Sequence, residues 1–242
     1  MNLIIDIGNT QVKAAVFESS SLVEHFVFDE KYFQNNIKNI LKKYVINKGI
    51  LSSVKTIDEE LLSLLQQIPH FIELNSDTKV PFKNRYSTPE TLGKDRIALV
   101  SAASIKFPNK NVLIIDAGTC ITYDILNADN EYLGGAISPG IHIRYKSLNY
   151  YTSKLPELSI TNEFSLIGDS TSNAIHSGII NGVIQEIEGL VNQYQERFED
   201  LTVVLTGGDT KFLFKRLKNS IFANQNFLLY GLNKILTFNH QE

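Results

Sequence analysis

Runs of β-branched and leucyl residues alternate with amphipathic stretches along most of the chain. One run, Leu3-Ile4-Ile5, continues into Asp6-Ile7-Gly8-Asn9-Thr10. A second, Leu113-Ile114-Ile115, continues into Asp116-Ala117-Gly118-Thr119. Short apolar runs bounded by turn residues predict buried strands. Each is followed by another extended stretch, Val12 to Phe17 and Ile121 to Leu126. Both therefore predict a hairpin whose turn carries an acid, a glycine and a hydroxyl side chain. A repeat separated by about half the chain predicts two similar halves.

Between the copies, Lys31 to Val45 predicts a helix with Phe33, Ile37, Ile40, Leu41 and Tyr44 on one face. Ile50 to Val54 and Phe71 to Leu74 predict strands. Thr56-x-x-Glu59 predicts a capping box that opens a helix running through Ile68. A helix is predicted from Asp95 to about Ser104, and the alternation is that of an α/β fold. After the second hairpin, Gly134-Gly135 within a strand pattern predicts a bulge or a close backbone approach. Pro139 is predicted to open a helix carrying Arg144 and Lys146, either as basic groups near phosphate or as a solvated face. A long helix is predicted from about Asn173 to Phe198, where Ala174, Gly178 and Gly182 form a bare stripe suited to close packing, within the fold or across a dimer interface. His176 beside the stripe reads as a packing residue. Leu201 to Leu205 predicts a buried strand, from which Thr206-Gly207-Gly208-Asp209 turns into another helix.

The length of 242 residues suits one large domain or two smaller ones. Hydrophobic content of 43% and charged content of 20% are those of a globular protein. With a net charge of −3 and no polybasic run, nothing favours nucleic acid, so any phosphate site must concentrate positive potential locally. Cys120 is the single cysteine, which fits a reducing compartment, and within a predicted strand it reads as a small buried residue. No cleavable leader and no apolar stretch of membrane-spanning length is evident, so the expectation is a cytoplasmic protein with no membrane partner.

The two turns carry the chemistry. Gly8 and Gly118 remove a side chain where the backbone approaches a ligand or takes positive φ. Neighbouring N–H groups, with the hydroxyls of Thr10 and Thr119, can cradle phosphate oxygens. Asp6 and Asp116 would repel phosphate directly and make sense as ligands of a cation that holds it. There is neither a Walker A sequence nor Gly-x-Gly-x-x-Gly. In Tyr86-Ser87-Thr88-Pro89-Glu90-Thr91-Leu92-Gly93-Lys94-Asp95-Arg96, Asp95 falls at a helix start, where an acid is favoured. Near a phosphate site it can instead accept a proton from an attacking hydroxyl, and Arg96 can hold an anionic group. Asp124 reads as either a supporting residue of the second turn or a solvated one. Ser170 or Thr171 serves equally as an ordinary N-cap. Gly207-Gly208 leaves room for a flat ligand or forms a plain glycine turn.

The paired hairpins resemble the phosphate elements of the actin, Hsp70 and sugar-kinase superfamily, and further motifs make the chain similar to type III pantothenate kinases. Those motifs are Gly93-x-Asp95-Arg96 after Tyr86 and Pro89, Gly134-Gly135-x-Ile137-x-Pro139-Gly140, and Gly168-x-Ser170-Thr171. They run in family order from Asp6 to Gly231. Ser153 in Thr152-Ser153-Lys154-Leu155-Pro156 is a minor departure, because the family usually has Ala there.

The resemblance implies a duplicated actin-like ATPase fold of two ribonuclease H-like halves, residues 1–110 and 111–242, with mixed sheets flanked by helices. It implies ATP-dependent phosphorylation of pantothenate to 4′-phosphopantothenate, with Asp95 as general base. ATP falls to Asp6, Ile7, Gly8, Asn9, Thr10, Gln11, Val12, Lys13, Thr119, Gly207 and Gly208, the last two at the adenosine. Pantothenate falls to Tyr86, Gly93, Lys94, Asp95, Arg96 and Thr171. Magnesium comes with ATP near Asp6, a monovalent cation (potassium or ammonium) sits at Asp116, and the protein is a homodimer whose substrate pocket the partner completes. The rivals are another kinase or phosphatase of the superfamily and a non-catalytic nucleotide-binding regulator.

Overall fold

The computed structural model describes residues 1–8 and 11–240. The chain forms two compact units, one of Met1–Pro108 with Asn130–Tyr132 and Asn226–Glu242, the other of Asn109–Asp129 with Leu133–Gln225.

In the first unit β1 (Asn2–Ile7) and β2 (Val12–Glu18) make the expected hairpin, in register from Asn2↔Phe17 to Ile7↔Val12. β3 (Ser21–Phe28) adds an antiparallel edge that local patterning did not reveal. Its residues alternate between exposed and half-buried, and the outward face mixes Ser21 and His25 with Val23 and Val27, which blurs the two-residue period. α1 (Phe33–Lys43) follows, one residue short of Tyr44, which is already extended. β4 (Lys48–Ser53) pairs parallel to β1, as a helical crossover allows.

α2 (Glu59–Gln66) begins later than the expected capping box. Its cap is Asp58, whose carboxylate accepts from the N–H groups of Glu60 at 3.0 Å and Leu61 at 3.3 Å. Thr56 lies too far upstream to reach the orphan amides that an N-cap satisfies. β5 (Phe71–Glu73) completes a mixed sheet of order β3-β2-β1-β4-β5. Leu3, Ile5, Ile7, Val12, Ile37, Leu51 and Leu65 form its core.

β6 (Lys83–Asn84) and α3 (Lys94–Lys106) finish this stretch of chain. In the second unit β7 (Val112–Ala117) and β8 (Cys120–Leu126) form the second expected hairpin. β9 (Glu131–Pro139) starts in residues that belong with the first unit, and there Glu131 and Tyr132 pair with Lys83 and Asn84 of β6. Beyond them Gly134 has φ of 102°, and a Cβ on Gly135 would sit 1.6 Å from the Tyr123 carbonyl oxygen, so the glycine pair serves a close backbone approach.

α4 (Ile141–Tyr150) is capped by Gly140, because Pro139 still belongs to the strand. α5 (Thr171–Arg197), β10 (Thr202–Thr206), α6 (Thr210–Phe214) and β11 (Phe222–Ala223) follow. The strand order is β11-β10-β7-β8-β9, with β6 beside the start of β9. Leu113, Ile115, Tyr123, Ile179, Val183, Ile187 and Leu205 fill this core. α7 (Phe227–Phe238) packs on α3 within the first unit. Among the described residues, no helix is long and apolar enough to cross a membrane.

Three local readings change. Cys120 is exposed, because it begins β8 beside the turn and Ile121 takes the inward position. Asp124 is fully buried, which excludes the solvated reading. Gly178 and Gly182 have nothing within 4 Å of a would-be Cβ, so the stripe is open at these two positions, whereas at Ala174 it packs closely on the backbone of Gly168, whose own Cβ would fall 2.2 Å from the Ala174 nitrogen.

Candidate active site

In the first unit the end of the β1–β2 hairpin is tied by Gly8 N–H donating to the Gln11 carbonyl at 3.1 Å. Asn9 and Thr10, both expected at the phosphates, lie outside the described residues. Gly8 and Gly118 are absent from the positive-φ glycines, which are Gly134 and Gly207. The nearest atoms to a would-be Cβ lie 3.4 Å from Gly8 and 4.0 Å from Gly118, so neither glycine is required by a positive φ or by a close contact within the chain. Ile7 and Val12 point into the core, so only their backbones are available to a nucleotide, whereas Gln11 is exposed.

Asp6 stands in register with Lys13 on β2 and Ser52 on β4. Ser52 Oγ donates to its carboxylate at 3.1 Å. Burial raises the Asp6 carboxyl to about 6, against the opposing pull of Lys13 and the Ser52 hydrogen bond, with a smaller push from the negative charge of Asp95. The structure thus brings Lys13 and Asp95 each within electrostatic reach of Asp6. Ser52 was missed in the sequence, where it is only the end of an apolar run.

At the start of α3, Asp95 folds back so that its Oδ1 accepts from the Arg96 N–H at 2.8 Å. A Cβ at Gly93 would lie 2.4 Å from that oxygen, so the glycine leaves the Asp95 side chain room to fold back. Arg96 is 4% exposed. Its guanidinium lies 5.4 Å from the Tyr86 ring centre and 5.9 Å from that of Tyr132. The two rings stack at 5.9 Å and 21°. Such contacts hold a guanidinium in place while leaving its charge undiminished. Tyr132 joins Tyr86 and Arg96 through the β6–β9 pairing, a contact between distant segments that no local pattern shows. Lys94 is half-buried beside them.

In the second unit Gly118 N–H donates to the Cys120 carbonyl at 2.9 Å, closing a tight turn with Thr119 exposed at its tip. Asp116 has Thr122 and Thr206 at its register positions on β8 and β10, where Asp6 has lysine and serine. Thr122 Oγ1 is buried without a hydrogen-bond partner among the described residues. Directly opposed residues share a face, so a carboxylate and two hydroxyls gather at one level, a donor set of hard oxygens suited to a cation.

Gly207 has φ of 96°, and a Cβ there would meet Asp116 Oδ1 and the Ala117 carbonyl oxygen, each at 2.3 Å. Gly208 has open space around it. Asp209 donates its N–H to the Ala117 carbonyl, and burial raises its carboxyl despite His142 Nε2 at 3.9 Å. Thr171 is exposed in the first turn of α5, whose cap is Ser170, accepting from Asn173 N–H at 3.2 Å. His176 bonds Tyr145 through Nδ1 at 2.7 Å, as a packing residue does. Among the described residues there is no group of three His, Cys, Asp or Glu side chains able to hold a metal ion.

The chain matches, over residues 2–193, the family model described as type III pantothenate kinase. It is 54% identical over 240 residues to a type III pantothenate kinase of Christiangramia forsetii, covering 99% of each chain. Among solved structures it is similar to a Campylobacter jejuni protein assigned to the Baf family of transcriptional activators, with a TM-score of 0.61, 25% identity and 98% of each chain covered. A glucokinase from an Antarctic psychrotroph aligns with a TM-score of 0.55 at 12% identity over 98% of each chain, a likeness of fold.

Proposed function

We infer, for a chain that belongs to the type III pantothenate kinase family, that its reaction is transfer of the ATP γ-phosphoryl group to the primary hydroxyl of pantothenate. The product is 4′-phosphopantothenate, for coenzyme A synthesis. The observation that carries the reading is the cluster in the first unit: Asp95 in electrostatic reach of Asp6, next to an arginine braced by two tyrosines.

The residue roles form one scheme. Asp95 accepts the hydroxyl proton as the new O–P bond forms and the bond to the β,γ-bridging oxygen breaks, releasing ADP. Arg96, steadied by Tyr86 and Tyr132, pairs with the pantothenate carboxylate, and Lys94 and Thr171 add polar contacts. The turns at Gly8–Lys13 and Gly118–Thr119 take phosphate oxygens, and Gly207-Gly208 takes the adenosine. A divalent cation bound with ATP neutralises phosphate charge, and Asp6 is the residue suited to hold it, directly or through water. Asp116, with the hydroxyls of Thr122 and Thr206, suits potassium or ammonium.

The domain reading is two actin-like halves, 1–110 and 111–242, each built on one of the repeated hairpins, with α7 returning to pack in the first unit. The open positions Gly178 and Gly182 on α5 support a homodimer. The single cysteine suits a reducing, cytoplasmic setting.

The test is ADP release with pantothenate, ATP and magnesium, with and without potassium. Pantothenate-dependent turnover stimulated by potassium is the expected result. Turnover with other alcohols alone would overturn the substrate, and bound ATP without turnover would point to a regulator.

Asp6 gives a second test. Its carboxyl titrates near 6 in the folded chain, above the 3.8 of the free group. The folded state therefore holds this proton more tightly than the unfolded state. Stability from this group is present at low pH, is lost as pH rises through about 6, and changes little beyond. Without nucleotide, Asp6→Asn should melt higher than the parent at neutral pH, with the gap closing as pH falls toward the ordinary carboxylate range. Magnesium-ATP binding by the parent should weaken below about 6, as the carboxylate is lost. A melting gap that is independent of pH would refute the assignment.

A further inference from the structure

Arg144 neither reaches into solvent nor stands as a loose basic group. From the first turn of α4 its Nε donates back to the Pro139 carbonyl at 2.8 Å, and Nη2 donates to Ser138 Oγ at 2.9 Å. The same Nη2 donates to Glu186 Oε2 on α5 at 2.5 Å. Glu186 is held in turn by the hydroxyl of Tyr123, a buried residue of β8, donating to Oε1 at 3.0 Å. One guanidinium thus clasps the β9-to-α4 turn, and one carboxylate aims it from the far side.

That turn abuts the second phosphate turn. Gly140 N–H donates to the Thr119 carbonyl at 3.1 Å. A Cβ on Gly140 would fall 2.2 Å from the Gly118 carbonyl oxygen and 2.4 Å from that of Thr119, so the two backbones touch with no slack. Any drift of Ser138–Gly140 moves the peptide groups whose N–H donors would meet phosphate. We propose that Arg144 is a positioning residue for ATP: aimed by Glu186, it braces the Ser138–Gly140 turn against the Gly118–Thr119 turn. This rests on the reading that the latter turn holds phosphate.

The discriminating experiment measures magnesium-ATP affinity by calorimetry on the full chain, alongside melting temperature and steady-state kinetics. Arg144→Met keeps most of the stem and removes every donor. It should raise the ATP Kd about 10- to 100-fold while the pantothenate KM at saturating ATP stays within about twofold, since a small misplacement of a binding group is costly. Glu186→Gln keeps an oxygen acceptor in place, so its ATP Kd should stay within about threefold of the parent although the ion pair is gone. Ser138→Ala, which removes the hydroxyl's bonds to Arg144 and Glu186 and spares the ion pair, should weaken ATP about two- to fivefold and serves if Arg144→Met does not fold.

A purely structural ion pair would lower the melting temperature of Arg144→Met and leave its ATP affinity alone, and that result overturns the proposal. Because binding is read directly, a parent that binds ATP but fails to phosphorylate pantothenate would sink the kinase reading and leave this one standing. A parent that does not bind ATP would sink both.

Discussion

Asp95→Asn is expected to lower kcat about 100- to 10,000-fold, the usual contribution of a positioned general base, with ATP affinity almost unchanged. Asparagine is nearly isosteric and can still accept the Arg96 N–H through its amide oxygen, so the start of α3 should keep its shape. What is lost is a carboxylate able to take the hydroxyl proton. Phosphoryl transfer with a loose transition state asks little of base strength and much of alignment. The loss should therefore fall near the lower end of that range if Asp95 chiefly orients the hydroxyl, and near the upper end if proton acceptance limits the step. Single-turnover rates with saturating ATP read this directly, and turnover near the parent value would reject the assignment. A side effect follows from the charge: Asp95 raises the Asp6 carboxyl, so the variant should move the acid limb of magnesium-ATP binding to lower pH.

How legible this was depended on how local each signal is. The hairpin turns were readable because strand, acid, glycine and hydroxyl lie within eight residues, and β1–β2 and β7–β8 formed as expected. The helix start at Asp95-Arg96 was readable for the same reason. Tyr132 was not, because its contact with Tyr86 and Arg96 depends on β6 pairing with the start of β9, and a two-residue strand such as Lys83–Asn84 has no periodicity to detect. Ser52 reaches Asp6 only through parallel pairing, which fixes register across a helix crossover. Cys120 misled because a strand's first residue follows the turn's geometry more than the strand's apolar character. Arg144 could not be decided between phosphate and solvent because its partner, Glu186, lies on another helix.

The C-terminal helix supplies the largest expected effect on stability. Nothing in residues 226–242 announces which unit they join, yet α7 lies on α3, and Gly231 is the contact that permits it. A Cβ there would stand 1.7 Å from the Ala98 carbonyl oxygen and 2.6 Å from its carbon. Both atoms belong to a buried helix backbone, so no flexible side chain can swing aside, and one of the two helices must move. Overpacking of this kind costs about 3 kcal/mol or more, against which alanine recovers about 1 kcal/mol in helix propensity. The net loss of about 2 kcal/mol should lower the melting temperature by about 4–8 °C at a conversion of roughly 2–4 °C per kcal/mol for a chain of this size. Gly189, in α5 with nothing within 4 Å, is the internal control. There the same substitution should gain about 0.5–1 kcal/mol. Since α3 carries Asp95 and Arg96 at its start, Gly231→Ala should also raise the pantothenate KM at temperatures where the chain remains folded. If Gly231→Ala melted at or above the parent temperature, the close approach of α7 to α3 would be refuted, and with it the support these helices give to the substrate residues.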